Sequence, residues 1–289
     1  MSTPVDRLFV LVQYLIPQHF LSRLTGYAAQ CRIRWIKNRL INGFIARYNV
    51  DMAAACGEIA EDYENFNAFF TRPLKACLRP IAPHPRDITS PADGTLGQFG
   101  CLKCDTLVQA KGHEYSLHAL LGGDFERTLP FIDGEYATIY LAPRDYHRVH
   151  MPLSGTLREM VYIPGKLFSV NSVTTDAVPR LFARNERVVC HFDTDAGPFV
   201  IVLVGAMIVS SIHTVWHGPL SAHSGQIQTF TYPAADLRQI RLNKGDELGH
   251  FMLGSTVIML FGPHRMQWAQ AVTTGKCLKF GESLATRLD

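Results

Sequence analysis

Apolar positions along this chain change their period near residue 80. Before it they recur at helical spacing. In "RIRWIKNRLINGFIARY", residues 32–48, Ile33, Ile36, Leu40, Phe44 and Tyr48 form one stripe with Trp35 beside it. "EDYENFNAFFTRPLK" reads as a helix running into Pro73. "LRPIAPHPRDITSPADG" then carries Pro80, Pro83, Pro85 and Pro91, the mark of an extended connector. Short β-rich runs follow, among them "EYATIYLAP", "TLREMVYIPG", "RVVCHFD" and "PFVIVLVGAMIVSSI". Gly and Pro break them every ten or so residues, as in a sandwich or barrel. "EYSLHALLGG" inserts a short helix. The pattern predicts an α+β protein, with a helical region over 1–80 and a β-rich, barrel- or sandwich-like domain over 81–289.

The last strongly apolar run is "HFMLGSTVIMLF", residues 250–261. It predicts a single buried strand, with Phe251, Leu253, Val257, Met259 and Phe261 on one face and Met252, Ile258 and Leu260 on the other. Gly254, Ser255 and Thr256 interrupt it. Glycine weakens a strand interior, and buried hydroxyls are costly unless hydrogen-bonded. That interruption asks for a chemical reason.

Composition changes the picture little, and charge changes it more. The chain has 289 residues, 47% hydrophobic and 18% charged, enough for a sizeable core. Its seven cysteines form no disulfide framework, which points to reduced thiols in the cytoplasm. Cys101 and Cys104 make one CxxC without a second ligand pair, so no metal is expected. The net charge of +3 is unevenly spread. From Arg7 to Val50 there are seven basic residues and no acidic one, whereas residues 51–289 hold 21 basic and 24 acidic. "LFVLVQYLIP" is too short to span a bilayer, and no basic region of the secretory type precedes it. Basic and aromatic residues on these helices suit an anionic membrane surface. That reading is favoured over an ordinary packed surface helix, and both over nucleic acid.

Three separated stretches carry candidate chemistry. "SPADGTLG" holds Asp93 before a glycine turn. "LAPRDYHRVHMP" holds His147 and His150. "LGST" holds Ser255. Singly, each has an ordinary explanation: a turn aspartate, surface histidines, a hydrogen-bonded serine. Together they supply nucleophile, base and orienting carboxylate. No G-x-S-x-G elbow is present. A serine inside an apolar strand is poorly placed for an external substrate and well placed for the carbonyl of Gly254. Glycine can take the strained geometry such an attack requires. Self-processing at Gly254–Ser255 is the reading this favours.

With "PADG", "APRDYHRVHMP" and "LGST", the stretches "FNAFFTRPL", "AKGHEYSL", "YIPGKLFSVN" and "LFARNERV" are similar to the pattern of the bacterial, membrane-associated phosphatidylserine decarboxylases. The resemblance covers about Asn65 to Ser283, with the N-terminal helices fitting more loosely. Ala142 stands where the family pattern has serine. The resemblance implies self-cleavage into chains 1–254 and 255–289, with a pyruvoyl group in place of Ser255 as the covalent cofactor. It implies that His150 takes the Ser255 proton while Asp93 holds its imidazole. His147 is then the candidate for assisting loss of CO2 or supplying a proton. The implied substrate is phosphatidylserine in an anionic membrane, met from the cytoplasmic side by a peripheral enzyme that could also be a homo-oligomer. The product is phosphatidylethanolamine. A membrane-associated Ser-His-Asp hydrolase is the runner-up, and a non-catalytic lipid-binding module is third.

Overall fold

The computed structural model describes residues 3–207, 211–220, 225–233, 239–252 and 255–288. Four helices open the chain: α1 (Pro4–Leu15), α2 (Gln18–Ala29), α3 (Arg34–Tyr48) and the short α4 (Phe66–Phe70). Thr3 and Asp6 form a capping box that starts α1, with Pro4 at its first position. Among the described residues, no helix is long and apolar enough to cross a membrane.

α1 and α2 are attached largely by polar side chains, with Val10 and Tyr14 packed on the core side, and turn most of their large apolar ones outward. Gln13 is buried, accepting from the Ser169 amide at 2.8 Å and donating to Thr174 Oγ1 at 3.2 Å. Gln18 accepts from the Leu167 amide at 2.7 Å and donates to the Gln13 carbonyl at 2.8 Å. Leu8, Leu11, Leu15, Phe20 and Leu24 are 55–76% exposed.

α3 differs from its expected stripe. Its buried residues are Lys37 and Ile41, while Ile33, Leu40 and Tyr48 are exposed. The Lys37 ammonium donates to the carbonyls of Ala60 and Tyr63 at 2.8 and 2.6 Å, which draws that face inward. Phe44 packs edge-on against Phe66, Phe69 and Phe70. The long helix expected around residues 61–75 is confined to α4. Asn65 caps its start and the chain leaves it at Thr71, two residues before Pro73.

The remainder is dominated by an antiparallel sheet of nine strands among the described residues. Its order is Gln228–Thr231, Gly155–Ile163, Arg187–Thr194, Gly197–Gly205, Ser255–Phe261, Glu135–Leu141, Gly94–Cys101 and Cys277–Leu278, with Arg241–Leu242 also paired to Gly155–Ile163. The sheet stays open, so the α+β expectation holds but no barrel closes. Both faces are covered. One buries Leu203, Val257 and Met259 against Ile212, Leu248 and Phe251 of a smaller four-stranded sheet. The other buries Val202, Ile258 and Leu260 against Leu117, Phe168 and Phe182. Central strands covered on both faces read as continuous apolar runs.

The run 250–261 is therefore two strands. Glu247–Phe251 belongs to the smaller sheet, paired with Arg148–His150 and Ile212–Thr214. Ser255–Phe261 lies in the centre of the large one. Leu253 and Gly254 lie outside the described residues.

Candidate active site

Ser255 is the first residue of its strand, at the rim of the large sheet. It pairs with Leu141, the last residue of one neighbouring strand, and with Gly205, the last of the other. All seven residues of the strand are buried. The Ser255 and Thr256 hydroxyls have no hydrogen-bond partner among the described residues. Strand alternation sends them to opposite faces, with Ser255 on the side of the smaller sheet.

Asp93 reaches the same rim one strand further on. Thr95 pairs with Tyr140, which sets Gly94 beside Leu141. A Cβ on Gly94 would lie 2.5 Å from the Tyr140 carbonyl oxygen, so this close approach admits only glycine. Asp93, 2% exposed, accepts from Arg79 Nε at 3.0 Å and Nη2 at 2.7 Å, from Lys279 Nζ at 3.2 Å and from the Phe280 amide at 2.9 Å. Burial alone would raise its carboxyl. The Arg79 and Phe280 hydrogen bonds and the Lys279 charge outweigh burial and hold it below the usual carboxylate range.

Both histidines follow from the Leu141 end through the 142–147 loop, which the Asp145 carboxylate ties to the Ala142 amide at 2.8 Å. His150 Nδ1 lies 2.9 Å from the Gly245 carbonyl. A carbonyl only accepts, so Nδ1 carries the proton and Nε2 presents a lone pair. Tyr146 donates its hydroxyl to that lone pair at 3.0 Å. The ring is stacked on Phe280 at 3.7 Å and burial lowers its pKa. The direct hydrogen bond expected from the His150 imidazole to the Asp93 carboxylate is not formed, because Arg79, Lys279 and Phe280 occupy the carboxylate while Tyr146 and Gly245 occupy the imidazole. The two residues are linked through Phe280, whose amide binds Asp93 and whose ring covers His150.

His147 is fully buried, with its ring 4.1 Å from that of Phe70. By the same logic its Nδ1–H donates to the Asp145 carbonyl at 2.8 Å. Its Nε2 is an acceptor with no partner among the described residues. Burial pushes its pKa down to about 3. Neither histidine is hydrogen-bonded to Ser255 Oγ. Arg79, Tyr146, Gly245, Lys279 and Phe280 complete the site and were not singled out from the sequence. Lys279 and Phe280 lie nearly 190 positions from Asp93, with no local motif to mark them.

The family model described as phosphatidylserine decarboxylase matches residues 66–286, and a second, described as PSD, matches 8–49. A phosphatidylserine decarboxylase proenzyme of Ectopseudomonas mendocina is 56% identical over 279 residues, covering 96% of this chain and 98% of that one. One from Pseudomonas aeruginosa (strain LESB58) is 56% identical over 280 residues, covering 97% of each. One from Pseudomonas putida (strain KT2440) is 54% identical over 280 residues, covering 97% of this chain and 98% of that one. With matches of this extent over a site of this composition, the chain belongs to the phosphatidylserine decarboxylase family.

Proposed function

We propose that this decarboxylase matures by cutting itself between Gly254 and Ser255, and that Ser255 becomes its pyruvoyl group. The observation carrying this is the place of Ser255: an unpartnered hydroxyl heading a fully buried strand, where the chain crosses from one sheet to the other. Ser255 Oγ attacks the Gly254 carbonyl, and the amide bond becomes an ester. Elimination then removes the Ser255 Cα proton, forms the Cα=Cβ bond, breaks the Oγ–Cβ bond and frees the Gly254 carboxylate. Hydrolysis of the resulting dehydroalanine leaves pyruvoyl and releases ammonia. His150 is the base for the first proton, because its Nε2 lone pair is exchangeable once Tyr146 yields. Asp93 positions His150 through Phe280.

The pyruvoyl group supplies an electron sink for the pair left when CO2 departs. The remaining work falls to the chain. Ser255, His147, Asp93 and His150 are all buried, an environment that favours expulsion of CO2. His147 is neutral over the ordinary pH range and offers Nε2 as an acceptor. It is suited to orient the substrate amine by accepting its hydrogen bond and to relay a proton to carbon after CO2 has gone, since a histidine held near pKa 3 does not keep a proton taken from an ammonium.

The exposed apolar side chains of α1 and α2 support a peripheral membrane seat for the helical region, with phosphatidylserine drawn from the bilayer. Two further readings of the same proposal are a division at about residue 80 and a cytoplasmic-side location. The test of maturation is intact mass spectrometry. Purified protein should give fragments of 254 and 35 residues, the smaller lacking an N-terminal amine. Ser255→Ala should remain one chain without decarboxylase activity. Cleavage of that variant at 254/255 would refute the scheme.

A further inference from the structure

Arg72 lies in "FNAFFTRPL", a stretch that the chemistry above leaves unused. It is 3% exposed, and of its three nitrogens only Nη2 has a partner, the Arg144 carbonyl at 3.2 Å. Nε and Nη1 have none among the described residues, and no carboxylate there forms an ion pair with it. Arg187 shows the contrast. It too is buried, and its three nitrogens donate to the carbonyls of Leu120, Asn185 and Ala119. Arg79 has the Asp93 carboxylate. The guanidinium lies over the Phe69 ring, 5.3 Å from its centroid, a contact that leaves the Nε and Nη1 hydrogens without acceptors. A buried guanidinium short of acceptors is costly and calls for an explanation, which an arriving anion supplies.

Its location says which reaction that anion serves. Arg144 and His147 share the loop that leaves Leu141, the pairing neighbour of Ser255. Phe70, two residues before Arg72, lies against the His147 ring. Thr71 accepts from Arg148 Nε at 2.9 Å. Buried atoms without a partner among the described residues recur on these same segments: Asn67 Oδ1, Arg72 Nε and Nη1, and His147 Nε2, whose ring feels the Arg72 charge. A cavity of about 420 Å³ is lined by Asn67, Ala68 and Thr71, the residues just before Arg72, and by Met252.

Phosphatidylserine brings two anionic groups, a carboxylate and a phosphodiester. The carboxylate charge vanishes as CO2 leaves. A guanidinium paired with it would stabilise the ground state more than the transition state and slow the reaction. The phosphodiester keeps its charge throughout, so holding it costs the chemical step nothing. We propose that Arg72 is the receptor for the phosphodiester of phosphatidylserine, taking its anionic oxygens on Nε and Nη1. This rests on the decarboxylase reading given above.

The test uses the processed enzyme and substrate in detergent micelles, which removes bilayer binding from the measurement. Arg72→Gln should raise KM for phosphatidylserine about 10- to 100-fold, the range expected for charged hydrogen bonds, with kcat within about threefold. Glycerophosphoethanolamine, a soluble diester, should inhibit the unaltered enzyme competitively, and its Ki should rise in parallel. Arg72→Lys, which keeps the charge without the fork, should fall between. An unchanged KM and Ki in Arg72→Gln would overturn the proposal. So would a loss confined to kcat, which would assign the arginine to the departing carboxylate. Should Arg72→Gln not fold, the Ki of Arg72→Lys decides, and an unaltered Ki there counts against the phosphodiester. Absence of CO2 release by the unaltered enzyme would instead sink the decarboxylase reading, leaving diester binding to judge Arg72 alone.

Discussion

Replacing Arg79 by glutamine, in a Ser255→Ala background that stays one chain, strands a buried carboxylate. Arg79 supplies the short bonds to Asp93, and its side chain is 17% exposed against 2% for Asp93. Removing one partner of a buried pair costs about 3–5 kcal/mol. Lys279 and the Phe280 amide remain in place, so the lower figure, about 3 kcal/mol, applies here. A chain of this size shifts its melting temperature by roughly 2–4 °C per kcal/mol. The expected loss is therefore about 6–12 °C at pH 7, read by circular dichroism. Asp93→Asn in the same background removes the stranded charge, and the double variant should recover part of the loss. The pH dependence has a defined sign. The Asp93 carboxyl is held below its unfolded value, so its stabilisation is present above about pH 4 and is lost as pH falls through the folded pKa. The coupling energy from the double-mutant cycle should thus be constant from pH 7 to about pH 5 and shrink in stronger acid. Strictly additive effects at pH 7 would refute the reasoning, as would a coupling that grows on acidification.

The two histidines should separate by step. His150→Ala should block cleavage, whereas His147→Ala should cleave and lose on the order of 10²–10⁴-fold in decarboxylation; equal cleavage defects by gel would contradict this. The membrane seat is tested by Leu8→Gln, Leu11→Gln and Leu15→Gln together, which leave the Gln13 and Gln18 anchors intact. Sedimentation with anionic vesicles should weaken by about tenfold or more per leucine, with the melting temperature nearly unchanged, and unaltered sedimentation would exclude that face.

The change of period near residue 80 was legible because burial on one or two sheet faces writes itself into local sequence. What failed to show depends on partners far along the chain. Lys37 has no place in the apolar stripe expected for α3, yet the carbonyls of Ala60 and Tyr63 draw it inside. The 250–261 run looked like one strand because both its halves are buried, and nothing local says that the halves lie in different sheets. Ser255, His147, His150 and Asp93 were all visible as chemistry, and the structure brings Asp93 and Ser255 to one rim. The way Asp93 reaches His150 was not visible, since it passes through Phe280. Arg79 sat in a proline-rich connector that offered no signal.

The position of Ser255–Phe261 changes what denaturation means for this protein. The strand is paired on both sides, and Val257, Ile258, Met259, Leu260 and Phe261 are wholly buried. Each such side chain contributes about 1.5–3 kcal/mol, so a cut at 254/255 would leave the small chain locked in the middle of the sheet. Folding before the cut is unimolecular. After it, unfolding releases two different chains, and refolding becomes a second-order encounter whose midpoint depends on concentration. The short chain would then have to find the gap between Glu135–Leu141 and Gly197–Gly205 without a tether. The precursor should refold from urea, whereas the mature enzyme should not recover on dilution and should persist only as long as its unfolding barrier lasts.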